Sequence, residues 1–287
     1  MKKIQHLLII LVIYFIALVI AYRVYHAVTI ESVMLTILIA DLVATGFIFL
    51  MSTVFKNASI YDPYWSVAPL VMVIPFIETL NTPTLLVLSA LYFWGIRLTL
   101  NWIYTFKDLH QQDWRYDYYK HKSKRLWPIV NLFGIHMMPT IVVFLVMIPV
   151  FTLLTHPQPT NVVTVFGWVV MVGAVMIQAF ADKQMHDHLK QRPNAVNKTG
   201  LWRMSRHPNY FGEITFWFGA YMMALSVSTN YLIGIGAFIN LLMFMTISIP
   251  LMEKRQLTRR PEYESYIETT HVLIPIPKDI EDHKQNA

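Results

Sequence analysis

Residues 199–221 read TGLWRMSRHPNYFGEITFWFGAY, and the change of character at Pro208 decides the fold. Before the proline, Arg203, Arg206 and His207 crowd a polar turn. After it, Asn209 to Tyr221 runs as an apolar stretch interrupted by Glu213. Proline suits the first turn of a helix, where its fixed φ is already helical and its missing N–H is not needed. A helix that starts at a basic turn and continues without Lys or Arg reads as one entering a membrane. No further Lys or Arg occurs until Lys254, which leaves room for two crossings, 209–228 and 230–252.

Working outward, apolar runs near the roughly 20 residues needed to span hydrocarbon recur at 6–24, 32–54, 64–79, 84–106, 131–154 and 162–182, for eight candidate spans in all. The run at 64–79 is short and opens at the turn DPYW, which suits a tilted or partly re-entrant segment better than a clean crossing. The first run is long enough to span and lacks a small-residue cleavage pattern, so it reads as a helix rather than a secretory leader. Composition agrees: 55% of the 287 residues are hydrophobic and 14% charged, against about 25% charged in a soluble domain. With no cysteine, thiolate chemistry, cysteine zinc sites and disulfides are excluded. The expectation is an all-α integral membrane protein, one polytopic domain over 1–287.

Charge placement orients it. With the N-terminus inside, 21 of the 23 Lys and Arg fall on the cytoplasmic side, while the opposite connections ETLNTPT (78–84), THPQPTN (155–161) and STN (228–230) hold none. Cytoplasmic loops retain positive charge, so both termini are expected in the cytoplasm. The net charge of +6 follows from this bias and from contact with anionic membrane lipids; it implies no nucleic acid.

A polar group inside a span is costly and faces a partner or a polar cavity. Asp41, Arg97, Asn101, His136, Gln178, Asp182, Glu213 and Asn240 are such groups. Arg97, Asn101, Gln178, Asp182 and Glu213 sit near the expected cytoplasmic ends and point to a pocket opening there; interhelical hydrogen bonding is the other reading. Gln178 and Asp182 are four apart, as are Asn209 and Glu213, so each pair shares a helix face. Such acceptors and amides suit ribose hydroxyls or an amide-bearing ring. Asp182, His186 and His188 have ligand-like spacing but lie at an interface, and no metal site is expected. Arg203, Arg206 and His207 at a helix start suit a phosphate, or a basic interfacial belt. The C-terminal segment, with Glu253, Arg255, Tyr263 and Tyr266, reads either as a lid folded back over the pocket or as a solvated tail.

GLWRMSRHPNYFGEITFW (200–217), then EKRQL (253–257), then Tyr263, Tyr266 and LIP (273–275), resembles the C-terminal domain of the steroid 5α-reductase family. Upstream, NASIYDPYWSVAPL (57–70), WGIRLTLNW (94–102) and DWRYDYYK (113–120) resemble its bacterial branch of uncharacterised membrane proteins, and the likeness covers 57–277. Sterol reductases and isoprenylcysteine carboxyl methyltransferases carry related sequences. The resemblance implies NADPH as cofactor. Asn209 and Glu213 match the family residues that contact nicotinamide amide and ribose, Asp182 the Asp one helix earlier, and Gln178 stands where the reductases have Asn. It implies that Arg203, Arg206, His207 and Tyr210 hold phosphates and adenosine, enclosed by Arg255 and Tyr266, with Arg115 and Tyr116 as further candidates. The catalytic carboxylate and tyrosine of the steroid enzymes have no residue-by-residue match; the local candidates are Asp62 and Tyr64, which also suit an Asx-Pro turn with an aromatic belt.

These readings lead to an NADPH-dependent reductase of an activated C=C bond in a lipophilic, steroid- or isoprenoid-like substrate, in a bacterial inner membrane. The alternative is an S-adenosylmethionine-dependent membrane methyltransferase. That cofactor has no phosphate and leaves the paired arginines surplus. A transporter would want inverted repeats or broken midplane helices, and neither is evident.

Overall fold

A computed structural model of the chain describes residues 2–278. Among these residues the protein is all-α, with no β-strand beyond a single parallel bridge between Ser205 and His271. It divides into two compact units, Met1–Pro159 and Thr160–Ala287.

The first unit contains α1 (Lys2–Ala27), α2 (Val33–Val54), α3 (Tyr64–Met72), α4 (Thr82–Thr105), α5 (Trp114–Ser123), the short α6 (Trp127–Ile129) and α7 (Met138–Thr155). The second contains α8 (Val162–Gln191), α9 (Leu201–Met204), α10 (Pro208–Ala224), α11 (Ile235–Met243), α12 (Ile249–Arg259) and α13 (Tyr263–Thr269). A π-helical turn over Val130–Met137 joins α6 to α7, and another over Phe244–Ser248 joins α11 to α12.

Six helical runs are long and apolar enough to cross a membrane: Lys2–Ala27, Val33–Val54, Thr82–Thr105, Trp114–Thr155, Val162–Gln191 and Tyr231–Arg259. Two of the eight expected spans are not among them. The run at 64–79 breaks after nine residues of α3 and a 3-10 turn at Ile74–Phe76 around Pro75. Its helix is far shorter than hydrocarbon thickness requires. The run at 209–228 forms α10, whose 17 residues sit at the lower limit for a crossing.

The three connections without Lys or Arg each end in an asparagine that caps the next helix or helical turn. Asn81 accepts from Thr84 N at 2.9 Å, Asn161 from Thr164 N at 2.9 Å and Asn230 from Leu232 N at 3.0 Å. Each cap satisfies an N–H that the helix cannot, so these short polar connections stop one helix and start the next.

In the first unit, α1 buries Ile10, Ile13 and Ala17 in the core, where they meet Ala44 and Ile48 of α2 together with Tyr61 and Tyr64, and packs Ile9, Tyr14 and Ala21 partly buried against the same cluster. Leu8, Leu11, Val12 and Phe15 face outward, as lipid-facing residues do when no water must be avoided. In the second unit, α8 and α10 pack backbone to backbone. A Cβ on Gly167 would come within 2.8 Å of Gly219 O, and one on Gly212 within 2.7 Å of Ala174 O. Small residues are what let two such helices approach, and here the contact fixes the depth at which Gln178 and Glu213 face each other.

Candidate functional site

In the second unit, the basic turn, the end of α8 and the C-terminal helices surround a partly open cavity of about 320 Å³. Asp182 and His186 reach it from α8, Asn209 and Tyr210 from the first turn of α10, and Arg255 and Arg259 from α12. Trp202, Tyr263 and Tyr266 close its wall. The tail folds back within this unit: Arg206 N donates to His271 O at 2.9 Å, and Ser205 Oγ to Leu273 O at 2.7 Å. Tyr266 is buried and donates its hydroxyl to Trp202 O. Burial raises the Tyr263 and Tyr266 phenols above their ordinary value, so both remain neutral donors.

Arg206 does not present an open fork to the cavity. Its Nε donates to Glu253 at 2.7 Å, and its Nη1 donates to the carbonyls of Ile267 at 3.1 Å and Thr270 at 2.6 Å. Arg206, expected to hold phosphate, lines the cavity and also ties α13 to the basic turn. His207 donates from Nε2 to the same Glu253 oxygen at 3.2 Å, and its ring stacks on Tyr210 at 5.2 Å. Glu253, expected from sequence only as part of the C-terminal segment, is therefore a hub of the site. Arg203 is exposed on α9. Arg255, Arg259 and Arg260 bring the guanidinium character of the cavity from α12 and its C-cap, with Arg260 also donating to Gln256 Oε1 at 2.7 Å.

Gln178 and Glu213 do come together, but with each other. Gln178 Nε2 donates to Glu213 Oε2 at 3.2 Å, and Trp217 Nε1 donates to Glu213 Oε1 at 2.7 Å. The carboxylate is thereby satisfied between α8 and α10, as a buried charge must be, while Asp182, one turn further along, reaches the cavity. The two histidines of DKQMHDH diverge: His186 faces the cavity, and His188 pairs with Ala195 O at 3.0 Å.

In the first unit, Asp62 and Tyr64 belong to separate pairs. Tyr116 donates its hydroxyl to Asp62, while Arg115 forks onto Asp113 at 2.9 and 3.2 Å. The Tyr116–Asp62 contact staples α5 to the turn before α3, helped by Asp113 N donating to Ser59 Oγ at 2.8 Å. Burial pushes the Asp62 carboxyl up to about 6, opposed by Arg115 and by the Tyr116 hydrogen bond. Tyr64 instead donates to Asp41 Oδ1 of α2 at 2.8 Å, in a buried setting that also holds Tyr61, Thr45, Thr140 and His136. Asp41 and His136 were legible as costly intramembrane groups; their partners were not.

Among known proteins, residues 48–270 match the family described as "Protein of unknown function (DUF1295)". An uncharacterized protein of the fission yeast Schizosaccharomyces pombe is 22% identical over 244 residues, covering 74% of this chain and 70% of the relative. No solved structure matches the chain.

Proposed function

The chain belongs to the DUF1295 family, and we propose that it is a membrane-embedded, NADPH-dependent reductase of an activated C=C bond in a lipophilic, steroid- or isoprenoid-like substrate. The observation that carries this reading is the donor set of the second unit's cavity, where Asp182 and Asn209 share one space with Arg255 and Arg259. A carboxylate accepts from ribose hydroxyls, an amide pairs with a carboxamide, and guanidiniums take phosphates. The set suits a dinucleotide, whose phosphates offer the guanidiniums more negative charge than the single carboxylate of S-adenosylmethionine.

When bound, NADPH supplies a hydride. The chain's own part is to hold and shield it. Asp182 and Asn209 would orient ribose and carboxamide, Arg255 and Arg259 would take phosphates, and Trp202, Tyr263 and Tyr266 would exclude water. Arg206 would act on binding indirectly, by keeping α13 in place. The acid candidates expected from sequence, Asp62 and Tyr64, belong to the first unit, where Tyr64 donates to Asp41. The placement of both termini in the cytoplasm rests on threading Lys and Arg through eight spans, 64–79 and 209–228 included, and a bacterial inner membrane on the resemblance to the bacterial branch.

The test is the melting temperature of purified protein with NADPH or S-adenosylmethionine. A ligand at 100 times its Kd stabilises the folded state by about 2.7 kcal/mol, so NADPH is expected to raise the melting temperature by several degrees. Stabilisation by S-adenosylmethionine alone would favour the methyltransferase and overturn the proposal.

A further inference from the structure

The cavity of the second unit is a groove between two helix faces. Asp182, His186 and Leu189 line it from α8, and Met252, Arg255 and Arg259 from α12; within each helix the three follow one another at turn spacing. The two helices run in the same direction. At the inner end, Arg206 Nε and His207 Nε2 tie the entry to α10 to Glu253 on α12, and Asn209 in the first turn of α10 joins the lining. At the outer end, just past both helices, Arg260 Nη2 donates to Pro193 O at 2.8 Å and Val196 N to Glu262 Oε1 at 2.6 Å.

The ends differ in chemistry. Asp182 and Asn209 give the inner end acceptors and an amide, whereas Leu189 and Val196 give the outer end an apolar surface. Guanidiniums stand at both, but Arg206 is engaged by Glu253 and the carbonyls of Ile267 and Thr270, and Arg260 by Gln256 and Pro193. Arg255 stands midway, and Arg259 one turn beyond it, about 6 Å further along the axis. Arg259 is exposed and, among the described residues, makes no hydrogen bond or ion pair. It repels the neighbouring Arg260, and a bound anion would relieve that repulsion.

A dinucleotide laid along this groove, with its carboxamide-bearing half at Asp182 and Asn209, brings its pyrophosphate past Arg255 and its adenosine to Leu189, Val196 and Arg259. NADH has no anionic group beyond the pyrophosphate; NADPH has one more phosphate, on the 2′ oxygen of the adenosine ribose. We infer that Arg259 is a specificity-determining residue that takes this 2′-phosphate, so that the chain selects NADPH over NADH while Arg255 serves the pyrophosphate common to both. The inference rests on the reductase reading and assigns its cofactor preference to one side chain. A guanidinium fork matches two phosphate oxygens at once. Because Arg259 is exposed and water competes for it, its contribution is on the order of 10-fold in affinity, the low end for a charge-assisted hydrogen bond.

Adenosine 2′,5′-bisphosphate and adenosine 5′-monophosphate test this without turnover, since they differ only in the 2′-phosphate. The affinity of each for the detergent-solubilised full chain is read from the rise of its melting temperature with ligand concentration. The bisphosphate is expected to bind about 10-fold more tightly than the monophosphate. Arg259→Gln should abolish that difference and leave the monophosphate affinity unchanged, and Arg259→Lys should keep part of it. Lys254→Gln removes the same charge from an exposed position of α12 outside the cavity lining and should keep all of it. Equal binding of the two nucleotides, binding of neither, full discrimination in Arg259→Gln, or an equal loss in Lys254→Gln each overturns the assignment. Any of these results with NADPH still raising the melting temperature removes Arg259 alone and leaves the cofactor reading in place; stabilisation by S-adenosylmethionine and not by NADPH removes the reading itself.

Discussion

Arg206→Ala separates two roles that sequence alone leaves merged, phosphate ligand and latch. The guanidinium holds α13 through the carbonyls of Ile267 and Thr270 and is anchored in turn by Glu253. Its side chain is only 10% exposed, so water cannot replace these bonds without opening the segment. Hydrogen bonds from a charged donor contribute about 1.5–3 kcal/mol each. At the lower figure the two carbonyl bonds together hold α13 by about 3 kcal/mol, which corresponds to about a 100-fold change in local opening. Amide hydrogen exchange followed by mass spectrometry reads that opening directly. Peptides covering 263–273 are expected to exchange about 100-fold faster in Arg206→Ala, and Arg206→Lys to fall between, because an ammonium keeps the charge but not the planar fork. Unchanged exchange in those peptides, with NADPH affinity nevertheless lost, would refute the latch and return Arg206 to direct phosphate contact.

Gly212→Ala should destabilise the second unit by about 1–3 kcal/mol through overpacking, since its Cβ would meet Gln178 Cγ at 2.5 Å and Ala174 O at 2.7 Å; a thermal melt followed by tryptophan fluorescence reads this, and a melting temperature at or above the parent's counts against the backbone contact. Asp62 gives a pH signature. Its folded value near 6 lies above the ordinary 3.8, so the folded state holds the proton more tightly; stability is greatest below about pH 4, falls as pH rises through 6, and is lower above that by about 3 kcal/mol. Asp62→Asn should flatten this slope in melts taken from pH 4 to 7.5, and an unaltered slope would show that another group carries it.

The membrane character was legible because hydropathy and charge act locally: a run of apolar residues must find lipid or protein whatever its neighbours are. The same locality made the asparagine-ended connections readable as boundaries. The break at Pro75 was foreshadowed by the shortness of the 64–79 run, but nothing local says that a nine-residue α3 suffices. Where it begins is fixed by the partners that Tyr61 and Tyr64 find on α2 and α7, and those lie far away in sequence.

The site divides along the same line. Spacing of four residues correctly puts Gln178 and Asp182 on one face of α8, yet it carries no information on what that face meets. Gln178 meets Glu213, and Asp182, one turn on, meets the cavity. The signal that Glu213 would be bound internally was present in EITFW, where Trp217 stands one helical turn away and carries an N–H that must itself be satisfied when buried. A carboxylate with two internal donors gains little from a ligand hydroxyl, since binding would exchange one good hydrogen bond for another. Asp182 lines the cavity and Glu213 does not, so Asp182 is the acid expected to dominate ribose recognition: Asp182→Asn should weaken NADPH binding by more than Glu213→Gln does, and Glu213→Gln should lower the melting temperature more. Equal losses of affinity in the two variants would mean that the α8–α10 pair opens toward the cofactor.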